Sequence, residues 1–173
     1  LLGVVPLAPS YKMHVPVACA QQKVGIVALA AHSTAQLERL FKGLAAIYPH
    51  APDAEVSIEV DPRVTSVEQL EVLRGCGFNR ISMGVQDFDE QVQVAINRVQ
   101  SYELTRDLVD ASRSLGFTSV NLDLVYGLPH QTVAKFGESI EQVLQRRPDR
   151  LACYGYAHVP WLKKHQEVIS VEG

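Results

Sequence analysis

The stretch GFNRISMGVQDFDEQVQVAINR, from Gly77 to Arg98, decides how the chain is interpreted. A Gly-Phe turn precedes a short apolar run over residues 80–85, which is typical of a β-strand. The run ends at Gln86, where polar residues replace the apolar alternation. In parallel α/β folds the loops after the strands carry binding and catalytic groups. We therefore expect a functional site between Gln86 and Arg98; a loop cap and a surface ion pair are the alternative.

The composition is that of one globular domain. The chain has 173 residues, of which 47% are hydrophobic and 20% charged, and its formal net charge is −3. Without a basic excess, neither nucleic acid nor an anionic membrane is the expected partner. The apolar N-terminus is interrupted by Lys12, His14 and Lys23, so it predicts neither a membrane span nor a signal peptide. We expect a cytoplasmic protein.

Hydrophobic periodicity predicts strands that alternate with helices. Strands are expected at 55–60, 80–85, 120–125 and 150–156, and residues 24–29 suggest a further one. Spacings of three and four predict helices after Ser33, after Ser101 and before Pro148, and another begins with a capping box of Thr65 and Glu68 or of Ser66 and Gln69. Strands that alternate with helices indicate a parallel βαβ array. The strand count favours a partial (β/α) barrel, incomplete at the N-terminus.

Two segments of similar sequence support a repeated βα unit. Residues 73–78 read LRGCGF and residues 112–117 read SRSLGF, and each precedes a predicted strand. Gly116 is a natural residue for the left-handed conformation at a helix C-terminus. The interval between the two segments is the length expected of one strand and its helix.

Five motifs in order resemble a known family. They are IEVDP (58–62), NRISMGVQDF (79–88), NR (97–98), NLDLVYGLPHQT (121–132) and YAHVP (156–160). These motifs resemble those of oxygen-independent coproporphyrinogen III oxidase, a radical S-adenosylmethionine enzyme of haem biosynthesis. A related haem chaperone branch tends to carry Asn at position 61 and Ser at position 87, where this chain has Asp. The resemblance begins near His32 and implies an irregular segment over 1–31 and a partial radical SAM barrel over 32–173.

The predicted strand ends place Glu59, Gln86, Asp123 and Ala157 on one face, with Arg98 in the following loop. The resemblance assigns S-adenosylmethionine to these four residues and to Arg98, with the backbone beside Ala157 facing the adenine. Their chemistry suits a zwitterionic nucleoside, because a guanidinium binds a carboxylate as a planar fork and a carboxylate accepts from ammonium or ribose hydroxyls. As an alternative, Glu59 caps the next turn. Asp123 lies inside an apolar strand, where an unpartnered carboxylate costs several kcal/mol.

The resemblance also implies a [4Fe–4S] cluster and a glycine-rich loop. In the family, the cluster is held by Cys-x-x-x-Cys-x-x-Cys and initiates the radical decarboxylation of coproporphyrinogen III to protoporphyrinogen IX. Neither motif occurs in this sequence, whose cysteines are Cys19, Cys76 and Cys153. Widely spaced cysteines predict reduced thiols rather than a metal site. The simplest interpretation is a fragment, or a chain whose early portion was replaced.

Three functions remain open from the sequence. The chain is part of a coproporphyrinogen III oxidase, which acts with an electron donor protein and is expected to be a monomer. Alternatively it is a non-catalytic remnant that keeps a nucleoside pocket. A third reading is an unrelated barrel lyase that uses Lys163 or Lys164, although nothing places either lysine at a strand end.

Overall fold

The computed structural model describes residues 23–27, 33–51, 53–159, 161 and 166, with only the backbone of 23–27. The strands are β1 (Lys23–Val27), β2 (Glu55–Val60), β3 (Arg80–Gln86), β4 (Ser119–Tyr126) and β5 (Arg150–Gly155). The helices are α1 (Thr34–Ile47), α2 (Val67–Gly75), α3 (Glu90–Ala95), α4 (Tyr102–Ser114) and α5 (Val133–Gln145). All strands predicted from the sequence are confirmed within a residue or two, as far as these residues are described. Apart from residues 23–27, the segment 1–31 lies outside the described residues, and so does the part of the tail that contains Lys163 and Lys164.

The five strands form one parallel sheet in the order β1-β2-β3-β4-β5. Each strand therefore pairs with the strands that precede and follow it in the chain, as the predicted partial (β/α) barrel requires. Five strands leave the barrel open, since a closed one of this type needs eight. No helix among the described residues is long and apolar enough to cross a membrane.

An ion pair across the sheet accords with the curvature of a partial barrel. Arg150 Nη2 on β5 lies 3.4 Å from Glu55 Oε2 on β2, although β3 and β4 separate these strands. In a flat sheet the two strands would be about 14 Å apart. Curvature brings the two side chains together on one side of the sheet. We call this concave side the inner face.

The opposite side of the sheet packs against the helices and forms the core. Its apolar side chains are almost fully buried between the sheet and the helices; they include Val56, Ile58, Val60, Ile81, Met83, Val120, Leu122 and Leu124. From the helices, Leu37, Leu70 and Leu73 pack against them. Burying each such side chain stabilises the fold by roughly 1.5 to 3 kcal/mol. The core therefore holds the sheet rigid and leaves its inner face to polar residues.

Caps at the helix ends set where each strand begins. Ser33 and Ser66 each form a capping box, which decides the second predicted box in favour of Ser66 and Gln69. At the C-termini of α2 and α4, Gly77 and Gly116 have φ of 97° and 87°. The amide of the following phenylalanine then bonds back to the last turn in both cases. The repeated Gly-Phe motif is thus the same helix-to-strand turn used twice.

Two features depart from the sequence prediction. Residues 90–95 form the short helix α3, where a loop was expected. In addition, four apolar residues that helical spacing of three and four places on the apolar stripes of the longer helices are exposed: Leu40, Ile47, Leu104 and Leu144. Each of these side chains lies at the margin of its stripe, beyond the reach of the sheet. Helical spacing alone does not locate that margin.

Candidate functional site

The inner face of the sheet carries the predicted site. Strand register places Glu59 beside Ser82, Ser82 beside Asn121, and Gly84 beside Asp123. Partners in a parallel register point to the same face. Polar side chains thus line the inner face, while the apolar residues between them point to the helices. The carboxyl end of this face is the edge where we expect ligands to bind.

Asp123 is 9% exposed and is held by two side chains of the same face. Ser82 Oγ donates to its Oδ2 at 3.0 Å, and Asn121 Nδ2 donates to its Oδ1. Asn121 Nδ2 also donates to Ser82 Oγ at 2.7 Å, which closes the triangle. Burial raises the pKa of Asp123 above its usual value of 3.8, although both hydrogen bonds and the charge of Arg80 oppose the change. The fold therefore keeps this carboxylate in place at a cost.

Glu59 stands on β2, one position before the strand ends. Burial in the concave face and the negative charge of Asp123 raise its pKa, while Arg98 partly opposes the change. The side chain nevertheless keeps contact with solvent. Within the part of the chain that the structure describes, no donor bonds to its carboxylate, and it does not cap the following turn. Asp61 does that, since its Oδ1 accepts from the amide of Arg63 at 3.0 Å.

Gln86 sits at an unusual turn at the end of β3. Its φ is +67°, and the amide of Asp87 donates to the carbonyl of Val85 at 2.9 Å, which defines a γ-turn. The register with β4 also shifts between Gly84 and Gln86, so the strand bulges there. Positive φ in a non-glycine residue costs roughly 1 to 3 kcal/mol and persists only where its surroundings hold it.

The turn folds the Gln86 amide back over Gly84. A Cβ at position 84 would lie 2.7 Å from Gln86 Nε2 and 3.1 Å from Arg98 Nη2. Glycine is therefore required for both side chains to approach the strand so closely. Gly84 is the floor on which the amide and the guanidinium meet.

Arg98 reaches this floor from the C-terminus of α3. Asn97 adopts φ +52°, and the amide of Arg98 bonds back to the carbonyl of Gln93 at 2.8 Å, which reverses the chain. The guanidinium then donates to the carbonyl of Gly84 at 3.0 Å and to Asp61 Oδ2 at 3.1 Å. Its Nε is buried and has no partner among the described residues. A buried donor without a partner is rare in folded proteins, and a bound acceptor is one explanation for it.

Asp61 is a contributor that the sequence did not reveal as part of the site. It bridges Arg98 and Arg63, with 2.7 Å from its Oδ2 to Arg63 Nη2. Burial disfavours the ionised form, but the hydrogen bonds from Arg63 and the charge of Arg98 outweigh it, so the pKa of Asp61 lies below its usual value. Asp61 is therefore ionised at neutral pH and orients Arg98.

Ala157 is the one predicted residue that stands apart from the others. It lies two residues beyond β5, and its carbonyl accepts from Gln166 Nε2 at 3.1 Å. No hydrogen bond joins it to Glu59, Gln86, Arg98 or Asp123 among the described residues. The structure thus brings four of the five predicted residues together and places the fifth on a neighbouring segment.

Asp87 is a second residue whose role the sequence did not show. Its side chain is fully buried. Oδ1 accepts from Ser139 Oγ and from the amide of Asp89, both at 2.7 Å, and Oδ2 accepts from Gln131 Nε2. Because Gln131 also binds the carbonyl of Val125, Asp87 ties the turn after β3 to the loop after β4. The sequence signal that could have identified Asp87 is a carboxylate directly after a strand end, followed two residues later by a helix N-cap.

The described part of the chain contains no set of side chains placed to bind a metal ion. No group of three His, Cys, Asp or Glu side chains is arranged there to hold a metal ion. Cys76 follows the last residue of α2 and is half-buried, whereas Cys153 lies on β5 and is exposed. Cys19 is outside the described residues. Cys76 and Cys153 thus belong to separate elements of the fold.

Comparison with known families gives one domain match. Residues 20–143 match the family model described as the Radical SAM superfamily. The match contains β1 to β4 and most of α5, and therefore the four clustered site residues.

Curated relatives are named oxygen-independent coproporphyrinogen III oxidase. The protein from Bradyrhizobium diazoefficiens is 50% identical over 119 residues, which are 69% of this chain and 26% of that protein. The one from Helicobacter pylori strain 26695 is 46% identical over 139 residues, which are 80% of this chain and 30% of that protein. The Escherichia coli protein is 47% identical over 136 residues, or 79% of this chain and 30% of its own length. The chain thus spans less than a third of the length of these relatives.

Solved structures agree with the fold. Coproporphyrinogen III oxidase (HemN) from Escherichia coli, described as a radical SAM enzyme, is similar to this chain with a TM-score of 0.80 and 41% identity, over 87% of this chain and 36% of that one. The methyltransferase TsrM from Kitasatospora setae, with cobalamin and a [4Fe–4S] cluster bound, has a TM-score of 0.59 at 13% identity, over 70% of this chain and 23% of its own. The second likeness concerns the fold alone.

Proposed function

The chain belongs to the radical SAM superfamily, and from that premise we propose that it is the nucleoside-binding part of an oxygen-independent coproporphyrinogen III oxidase. The observation that carries the proposal is the convergence of Glu59, Gln86, Arg98 and Asp123 on one edge of the inner face. Curated relatives of that name, 46% to 50% identical, support the choice among radical SAM enzymes. Because the chain spans less than a third of them, the oxidase activity is proposed for the whole protein.

The donors and acceptors of the site fit S-adenosylmethionine. Arg98 is held at the site through both Nη atoms, and its guanidinium suits the carboxylate of the methionyl group. Asp123 is an acceptor fixed by Ser82 and Asn121, and it suits ribose hydroxyls. Glu59 has no donor bound to it within the described residues, and it suits an ammonium or a hydroxyl. The backbone beside Ala157, steadied by Gln166, suits the adenine edge.

Gln86 and Gly84 complete the cradle. The strained γ-turn points the Gln86 amide across the strand, where it both donates and accepts. Gly84 keeps the floor free of a Cβ that would displace the amide. When bound, S-adenosylmethionine supplies the 5′-deoxyadenosyl group for hydrogen abstraction from a propionate side chain. The residues of this chain bind it, orient it and shield it from water.

A [4Fe–4S] cluster does not fit the residues of this chain. Its ligands are clustered thiolates, whereas the three cysteines of the sequence stand at positions 19, 76 and 153. Cys76 and Cys153 also lie on separate elements. We therefore assign no reaction step to these cysteines.

The wide spacing of the three cysteines also favours a second candidate function. A chain that binds the nucleoside without holding iron is a non-catalytic remnant with an intact pocket. Both candidates predict nucleoside binding, and only the first predicts radical chemistry in the full-length protein. Spectroscopy of the full-length protein after anaerobic reconstitution, followed by an assay with coproporphyrinogen III, separates them. Under the first candidate function, we also propose that the protein works in the cytoplasm as a monomer and receives electrons from a donor protein.

Calorimetry with S-adenosylhomocysteine tests the shared part of the proposal. The chain should bind it, and Arg98→Ala should weaken binding by about 1.5 to 3 kcal/mol, the worth of a hydrogen bond to a charged group. Folding should survive, because Asp61 keeps Arg63 as a partner. Arg106→Ala is the matched control, since Arg106 also pairs with an aspartate but on the outside of α4. Equal binding by the parent and Arg98→Ala would reject the assignment.

A further inference from the structure

Charge on the inner face is divided between two levels. Towards the carboxyl edge stand two carboxylates, Glu59 and Asp123, which are neighbours of each other. Towards the amino end stand two arginines, Arg80 and Arg150, around the single carboxylate of Glu55. Among the described side chains, this group of three has an excess of one positive charge. Because Asp61 balances the charge of Arg98 at the carboxyl edge, a ligand that enters the concave face meets the unbalanced carboxylates first and the two arginines below them.

Glu55 holds the two arginines side by side. Its Oε1 accepts from Arg80 Nη1 at 2.6 Å, and its Oε2 lies 3.4 Å from Arg150 Nη2. Each guanidinium has five N–H donors in a rigid fork, so one contact to Glu55 occupies a small part of its capacity. Arg150 is also about half exposed, with a side-chain exposure of 48%. The pair keeps donors that point into the concave face.

The depth of the cluster suits a ligand that lies below the nucleoside site. Arg150 pairs in register with Asn121, two residues before Asp123 on the same face, which is a distance of roughly 7 Å along the strand. Ser119 pairs with Arg80, and its Oγ is buried without a partner among the described residues. The hydroxyl adds a neutral donor beside the two cations. Together these groups form a cradle for an anion with a planar, two-oxygen end.

We propose that Arg80 and Arg150 bind a propionate carboxylate of the tetrapyrrole substrate at the amino-terminal level of the inner face. The inference rests on the proposed function, since it takes the substrate class from there. Four propionates make that substrate a tetra-anion, and the two upper carboxylates repel them. The lower level attracts them, because two guanidiniums and one carboxylate leave a net positive charge. The cluster therefore orients the ring beneath the nucleoside.

In this arrangement Glu55 competes with the ligand for the two arginines. The proposal therefore predicts that replacing Arg150 and replacing Glu55 change ligand binding in opposite directions. Coproporphyrin III, the stable aromatic form that keeps all four propionates, serves as the probe, and its fluorescence reports binding to the chain. Arg150→Gln should weaken binding about 10-fold, the lower end for a hydrogen bond to a charged group. Glu55→Gln should strengthen it several-fold, because both arginines are then released to the probe. Arg106→Gln on the outside of α4 should change nothing.

A purely structural ion-pair network predicts a different pattern. Such a network predicts that Glu55→Gln and Arg150→Gln both weaken coproporphyrin binding and both lower the melting temperature. That result would overturn the proposal. So would an absence of coproporphyrin binding by the parent chain, or equal binding by Arg150→Gln and Arg106→Gln. Arg150→Lys keeps the charge and covers the case in which Arg150→Gln does not fold. Titration with S-adenosylhomocysteine in parallel tells the two proposals apart, because it tests the upper level alone.

Discussion

Replacing Asp123 with asparagine should make the protein more stable and less able to bind the nucleoside. The new amide keeps the shape of the carboxylate: its oxygen accepts from Asn121 Nδ2, and its nitrogen donates to Ser82 Oγ. What disappears is a negative charge that burial disfavours. Because burial raises the pKa of Asp123, its ionised form lowers stability at neutral pH. Asparagine carries no such cost.

The sign of the pH dependence follows from the same shift. An acid whose pKa is raised on folding contributes stability below its unfolded pKa, here 3.8, and loses it as pH rises through the folded pKa. The advantage of Asp123→Asn should therefore be full at pH 7.5 and small near pH 3.5. Stabilising single substitutions are commonly worth about 0.5 to 2 kcal/mol, and we expect Asp123→Asn to fall in this range. For a chain of this size, each kcal/mol raises the melting temperature by about 2 to 4 °C.

Binding should change in the opposite direction. A charged acceptor for ribose hydroxyls is worth about 1.5 to 3 kcal/mol, so affinity for S-adenosylhomocysteine should fall about 10- to 150-fold. Urea unfolding at the two pH values and calorimetry at pH 7.5 measure both effects. Asp107→Asn, an exposed acid on α4, is the control and should change neither. If Asp123→Asn unfolds the domain or binds as tightly as the parent, Asp123 is a structural carboxylate and the assignment fails.

Three further outcomes are expected. Asp87→Ala should cost about 3 kcal/mol in urea unfolding, because Gln131 and two other buried donors lose their acceptor, while Asp87→Asn should cost clearly less; a loss below 1 kcal/mol for Asp87→Ala would contradict the network. Gly84→Ala should weaken calorimetric binding of S-adenosylhomocysteine several-fold without unfolding the chain, since its Cβ displaces the flexible end of Gln86, and Gly43→Ala, with no atom nearby, should not. Anaerobic reconstitution of this chain should leave no broad visible absorption, because its cysteines are not clustered; stoichiometric iron that disappears on replacing one cysteine would refute this.

The sequence predicted the strands well because each is bounded by strong local signals. Val56, Ile58 and Val60 alternate with polar residues, and the alternation matches burial on one face. Helix starts were equally clear where a serine caps the first turn, as at Ser33 and Ser101. These signals act over a few residues, so they are legible without knowledge of the rest of the chain.

The site was predictable only in part. Residues at strand ends come together whenever parallel strands are adjacent, which is why Glu59, Gln86 and Asp123 could be expected to lie close together. The contact of Arg98 with Asp61 depends on a reversal after α3, and six helical residues are too few to show a period. The cap at Asp89 and the left-handed Asn97 were the available signals. Contacts between distant segments leave no such local trace.

The order of strands in the sheet has a consequence for synthesis. Since every strand pairs with the one made just before it, each new βα unit finds its docking edge already in place as it emerges. No described strand waits for a partner from much farther along the chain, which limits the entropy lost in closing each loop. The carboxylates and the amide of the proposed nucleoside site lie on β2, β3 and β4. Their geometry can therefore form before β5 has been translated.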